Sequence, residues 1–179
     1  MEPHHVYMLQ TIRKDIEQTE GIILDLTLRI KEVLSPYENV IELLKKIPGL
    51  NRKTVEDLIA EIGVDMEVFP TEKHLASWAG MCPGNNESAG KKNSRTNPGN
   101  KHVKSILTEA AWAAKRTKNT FYNARYHRSA ARRGKKRALI AIGHSILKSV
   151  WHVLKDACEY KELGAEYVTK KTEAKRSRP

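Results

Sequence analysis

The chain has 179 residues, 40% of them hydrophobic and only 6% aromatic, which suits one compact domain plus an extension and favours helices over a β-sandwich. No stretch approaches the roughly 20 apolar residues of a membrane span, no short apolar leader opens the chain, and two cysteines, Cys82 and Cys158, cannot build a disulfide framework, so a reduced cytoplasm is the expected compartment. The net charge of +11 is unevenly spread: residues 1–87 carry 9 Lys+Arg against 15 Asp+Glu, residues 88–155 carry 17 against the single acid Glu109, and residues 156–179 carry 6 against 5. Like charges at that density repel one another unless a polyanion offsets them. Nucleic acid is the polyanion that Lys and Arg bind with release of counterions; a merely solvated basic surface is the alternative.

Residues 1–36 predict a long coiled-coil helix. Leu9, Ile12, Ile16, Thr19, Ile23, Leu26, Ile30 and Val33 alternate spacings of three and four, an a/d heptad seam. Gly21 weakens it by about 1 kcal/mol relative to Ala, and Pro36 ends it. The seam requires a partner, either a second protomer, which is favoured, or another part of this chain. Residues 37–163 predict a compact helical domain, and the fold class is all-α. Its helices are expected over 37–46, 53–62 (Val55, Leu58, Ile59 and Ile62 inward, Gly63 as the stop), a short one capped by Thr71, 102–115, 120–132 and 136–160. Residues 81–101, rich in Gly, Asn, Pro and Ser with interleaved cations, predict a loop. Trp78, Trp112 and Trp151 are expected in the core, and residues 164–179 form a polar tail.

Three segments carry possible chemistry. Ile47-Pro48-Gly49-Leu50 followed by a helix through Gly63 fits a helix-hairpin-helix pattern. A glycine turn can expose backbone N–H groups to phosphate near Gly49, with Lys53 adding charge; an ordinary helical hairpin closed by Gly49 is the alternative. Asn86-Glu87-Ser88-Ala89-Gly90-Lys91-Lys92 sets a hydroxyl among small neighbours. Lys91, Lys92 and Arg95 could stabilise an attacked phosphate. No His or carboxylate base stands at a fixed spacing, Ser94 is an internal competitor, and a plain phosphate-contacting serine is the alternative. Finally, Lys101, Lys104, Arg125, Arg128, Arg132, Arg133, Lys135, Lys136 and Arg137 supply a basic face. Tyr122 and Tyr126 among them fit the core better than base stacking. The histidines are scattered, and His144 and His152 miss the i, i+4 spacing of a helical metal pair, so no metal site is expected here.

With these blocks in order, from Ile47-Pro48-Gly49 through Leu75-Ala76-Ser77-Trp78-Ala79-Gly80, Cys82-Pro83-Gly84-Asn85-Asn86-Glu87-Ser88-Ala89-Gly90-Lys91, Gly99-Asn100, Ala110-Ala111-Trp112-Ala113-Ala114 and Ala131-Arg132-Arg133-Gly134-Lys135-Lys136-Arg137-Ala138, the chain resembles the carboxy-terminal part of DEDD-type transposases of the insertion-sequence one-ten family, relatives of DNA invertases. The resemblance covers about two-thirds of the chain and is most specific around Ser88. It implies a serine nucleophile at Ser88 that forms a phosphoserine link to DNA, pairing of protomers through the coiled coil, and guidance by a structured bridge RNA. It also implies cooperation with an amino-terminal RuvC-like domain that holds divalent metal, expected to be magnesium. Residues 1–46 offer no strands for such a carboxylate cluster, and Asn97-Pro98 stands where a basic pair is common. The expected function is therefore DNA binding and strand exchange in transposition, incomplete without the metal-dependent domain, in the cytoplasm of a bacterium or archaeon at the nucleoid. No cofactor is expected in the chain itself. The alternative is a catalytically inert nucleic-acid-binding coiled-coil module.

Overall fold

The structure is a computed structural model that describes residues 2–168 apart from 84, 85, 89, 90, 94 and 95, with the backbone alone for 86–88 and 91–93. The chain falls into two compact units, Met1–Glu38 and Asn39–Pro179. The first is built on α1 (Pro3–Leu34), which runs through Gly21 without a break and passes into a 3-10 turn at Ser35–Tyr37 that contains Pro36. None of its residues is buried, so the apolar seam lies open.

The second unit holds α2 (Glu38–Lys45) from Asn39 onward, α3 (Arg52–Ile62), α4 (Glu72–Trp78), α5 (Lys101–Ala114), α6 (Phe121–Arg133) and α7 (Lys135–Asp156). The all-α expectation holds. Helix α7 is the central element: α4, α5 and α6 all pack on it, and α3 packs on α5. It buries Leu139, Ile142, Ile146, Leu147, Val150 and Trp151 at helical spacing, and Trp151 donates its indole N–H to the Phe69 carbonyl (2.9 Å). The caps follow side-chain chemistry. Asn51 accepts from the Thr54 N–H (2.8 Å), Thr71 from Lys73, and Thr120 from Asn123. Gly63 closes α3 at φ +70° with its N–H on the Ile59 carbonyl.

Three expectations are corrected. The 81–101 segment is not all loop: β1 (Asn86–Ser88) and β2 (Lys91–Asn93) pair antiparallel. Trp78 and Trp112 are 40% and 45% exposed rather than in the core, because the buried faces of α4 and α5 are set by Leu75 and Ala76 and by Val103, Leu107, Ala110, Ala111 and Ala114. Finally, α7 stops at Asp156 and not Tyr160. Ala157 turns to φ +47°, and the chain beyond gains contacts that a continued helix would forgo. Tyr160 stacks on Tyr122 (6.1 Å between ring centroids), and Glu162 accepts from the Phe121 N–H (2.7 Å) and from the Tyr160 hydroxyl.

Candidate nucleic-acid interface

The hairpin is held at its base by backbone contacts that leave no room for side chains. A Cβ on Gly99 would collide with the Gly80 backbone and with the Trp78 carbonyl. Around this crossing, the Asn100 N–H donates to the Trp78 carbonyl and the Asn97 N–H to the Cys82 carbonyl (3.2 Å), and Pro83 bridges Thr96. The base is then tied to the helical body. Asn100 caps α5, its Oδ1 accepting from His102 and Val103, while its Nδ2 donates to Glu61 Oε2 on α3 (2.7 Å). Lys104 on α5 donates its ammonium to the Thr96 hydroxyl. Two helices therefore fix where the hairpin starts and ends. The register places Ser88 opposite Lys91 and Glu87 opposite Lys92. Ser94 and Arg95, and the side chains of Ser88, Lys91 and Lys92, lie outside the described residues.

Gly49 sits in the turn between α2 and α3 at φ +94°, where L side chains are strained. A Cβ there would also collide with the Ala110 carbonyl and meet the Ala114 methyl at 2.8 Å. Close packing on α5 thus requires this glycine, whatever its turn also binds. Lys53, in the first turn of α3, is exposed.

The basic face divides along α6. At its far end Arg132, Arg133, Lys135, Lys136 and Arg137 surround the single-residue corner at Gly134, and all five are exposed. Arg132 and Arg133 stand in the last turn of α6, where the helix dipole favours cations. Lys135 and Lys136 stand at the start of α7, where it disfavours them by about 0.3–1 kcal/mol each, and that first turn contains no acid. Lys101 is exposed at the start of α5. Arg125 and Arg128 are engaged inside the chain. Arg128 donates to the Val168 carbonyl (3.0 Å), and Arg125 lies half-buried with its guanidinium 5.6 Å from the Phe121 ring centre. Tyr122 and Tyr126 are buried, as their place in the core requires, and burial pushes the Tyr122 phenol pKa up.

The Asn100–Glu61 and Lys104–Thr96 ties were not read from the sequence. Asn100 two residues before a helical run carries the usual N-cap signal, but no pattern announces its second bond to α3. Exposed Trp112 with the Lys115 ammonium 3.2 Å over its ring was missed as well. Among the described residues, no three His, Cys, Asp or Glu side chains gather as a metal-binding group. No helix among the described residues is long and apolar enough to cross a membrane.

Fold and charge together define an all-α basic module that presents a clamped hairpin. Residues 41–127, which include α3, the hairpin, α5 and the start of α6, match the model described as "Transposase IS116/IS110/IS902 family". Over that stretch, just under half of its length, the chain is similar to this transposase family. It is also 46% identical over 46 residues to the pilin gene-inverting proteins of Moraxella bovis and Moraxella lacunata, a match covering 26% of this chain and 14% of each relative.

Proposed function

We propose that this chain is the DNA-contacting, strand-exchanging module of a transposase, with Ser88 as the nucleophile. The observation that carries the reading is the hairpin. Its register sets Ser88 across from Lys91, its base is clamped by α3 and α5, and residues 88–155 carry 17 cations and one acid. Residues opposed in an antiparallel ladder have Cβ atoms about 5 Å apart. That separation is suited to holding an ammonium beside a phosphate under attack by the hydroxyl.

In the proposed reaction the Ser88 Oγ bonds to phosphorus as a bridging P–O bond of the DNA breaks, leaving a phosphoserine ester and a free strand end. The hydroxyl of a second strand end reverses the step and joins the new partner. Preorganised cations stabilise the charge that builds on the non-bridging oxygens. The Ser88 proton has to pass to a base supplied by a metal-bearing RuvC-like domain, which the described residues do not include. Exposed Arg132, Arg133, Lys135 and Lys136 grip phosphates without reading sequence, Lys53 and the Gly49 turn adding contacts. A structured guide RNA is the proposed source of target choice, and the partners place the protein at the nucleoid.

Binding to duplex DNA is expected to weaken steeply with salt. Charge reversal at Arg132 and Lys135 should flatten the slope of log affinity against log salt by about one unit per lost phosphate contact. An affinity indifferent to salt would remove this face from the account.

A second copy of the chain is proposed to cover α1. Leu9, Ile12, Ile16, Ile23, Leu26, Ile30 and Val33 are 47–59% exposed, a stripe that a paired helix buries. Ile16→Asp with Ile23→Asp should convert the oligomer to monomer in sedimentation, because unpaired carboxylates are costly to bury. Unchanged sedimentation of an oligomer would show that the seam is not what joins protomers.

A further inference from the structure

A cavity of about 410 Å³ opens between α6, the second half of α7 and the segment that follows α7, within the range of small-ligand sites. Arg125, His144, Lys148 and Glu159 line it, together with Phe121, Tyr160 and the buried Tyr122. We propose that this cavity binds a nucleotide, its phosphate held by Arg125 and its base set against the aromatic wall.

Arg125 is half-buried, and among the described residues no carboxylate pairs with it. The acids nearby are committed elsewhere: Glu72 to Lys148 (3.1 Å), Glu159 to Lys46 (2.6 Å), and Glu162 to the Phe121 N–H and the Tyr160 hydroxyl. Guanidinium groups bind phosphate in a bidentate fork, and a buried one without an anion bears a desolvation penalty that a bound phosphate would offset. His144, one turn before Lys148 on the same face of α7, adds a ring nitrogen. Burial and the neighbouring Lys148 and Arg125 charges hold its pKa below the usual histidine range, so an incoming anion would favour its protonated form.

Tyr160 leaves the line of α7 to stack on Tyr122, with their rings 17° from parallel, and Phe121 meets Tyr122 edge-on at 5.5 Å. Flat aromatic surface beside a cation is what a base with its phosphate requires, and base–aromatic stacking contributes about 1–3 kcal/mol per base. The Tyr122 hydroxyl is satisfied by Ser149 (2.8 Å), which fixes that ring. The site is at the end of α6 opposite the cationic corner at Gly134, so it stands or falls apart from the DNA grip proposed there.

The test uses the full chain and adenosine 5′-monophosphate, followed by calorimetry and by NMR of the His144 ring. The expected result is saturable binding with a rise in the His144 pKa, while adenosine alone and inorganic phosphate each bind at least about tenfold more weakly, the ratio of roughly 1.4 kcal/mol. Arg125→Met should weaken the nucleotide by about tenfold or more. Arg125→Lys, which keeps the charge and loses the fork, should give an intermediate loss even if the methionine variant folds poorly. Arg132→Ala with Arg133→Ala should leave nucleotide affinity within about twofold while lowering DNA affinity. Competition by a 5′-phosphorylated oligonucleotide would assign the occupant to a nucleic-acid end; saturation without competition would assign it to a free nucleotide. No binding of the monophosphate, or affinity untouched by both Arg125 variants, would overturn the proposal and leave the DNA reading intact.

Discussion

Ser88→Ala is expected to abolish covalent attachment to DNA while leaving DNA affinity within about twofold. The two effects separate because the groups responsible are different. Affinity rests on phosphate contacts by many cations, each a modest share of the total, and the alanine removes none of them. Attachment rests on one oxygen. Without it no P–O bond to the protein can form, so the loss should be total rather than graded. The assay supplies a RuvC-like domain of the same family in trans with magnesium and a nicked suicide substrate, and reads a slow-migrating protein–DNA band. A band that persists in Ser88→Ala and vanishes in Ser94→Ala would move the chemistry to Ser94. Salt-sensitive binding with no band from the unaltered protein would leave an inert binding module.

The second large effect concerns Gly49. Gly49→Ala puts a methyl group where the Ala110 carbonyl and the Ala114 methyl already stand, at a residue with φ +94°. The left-handed backbone costs an L residue roughly 1–2 kcal/mol, and overpacking adds typically about 1–3 kcal/mol. A loss of about 3 kcal/mol should lower the melting temperature by roughly 10 °C in a chain of this size. Gly63→Ala is the useful comparison. Its φ is also positive, +70°, but nothing lies within 4 Å of the added carbon, so backbone strain, about 1–3 kcal/mol in this region, acts alone and the loss should be smaller. Equal losses at the two positions would show that packing on α5 is not what demands Gly49.

Much of the fold was legible where local chemistry and packing agree. The α3 face of Val55, Leu58, Ile59 and Ile62 is buried as its spacing requires, Gly63 stops the helix, and Thr71 caps α4. On α5 the period prevailed over residue type at Trp112. Ala110, Ala111 and Ala114 face inward, which turns Trp112 outward however apolar its ring. The end of α7 was not legible, because Ala157 is a good helix former and neither Gly nor Pro marks the stop. Tertiary contacts of Tyr160 and Glu162 decide it. The pairing of β1 with β2 was hidden for the opposite reason: Asn, Glu and Lys have low strand propensity, and the base is clamped through Gly80, Gly99 and Asn100.

Of the candidate site, residue types and charge could be read from the sequence, whereas the arrangement could not. Seventeen cations in 88–155 are plain in the composition. That Arg128 is committed to the Val168 carbonyl and Lys104 to Thr96, while Arg132, Arg133, Lys135 and Lys136 stand exposed, depends on contacts between segments far apart in the chain. Lys104 in particular changes role, from a presumed phosphate contact to a tie holding the hairpin base.

The most direct test of the account is to trap the protein–DNA adduct, digest both components, and locate the remaining nucleotide by mass spectrometry. The expected result is a phosphodiester-linked nucleotide on the peptide containing Ser88, with fragment ions that place it on that residue. A nucleotide on Ser94, or on any residue outside the hairpin, would contradict it.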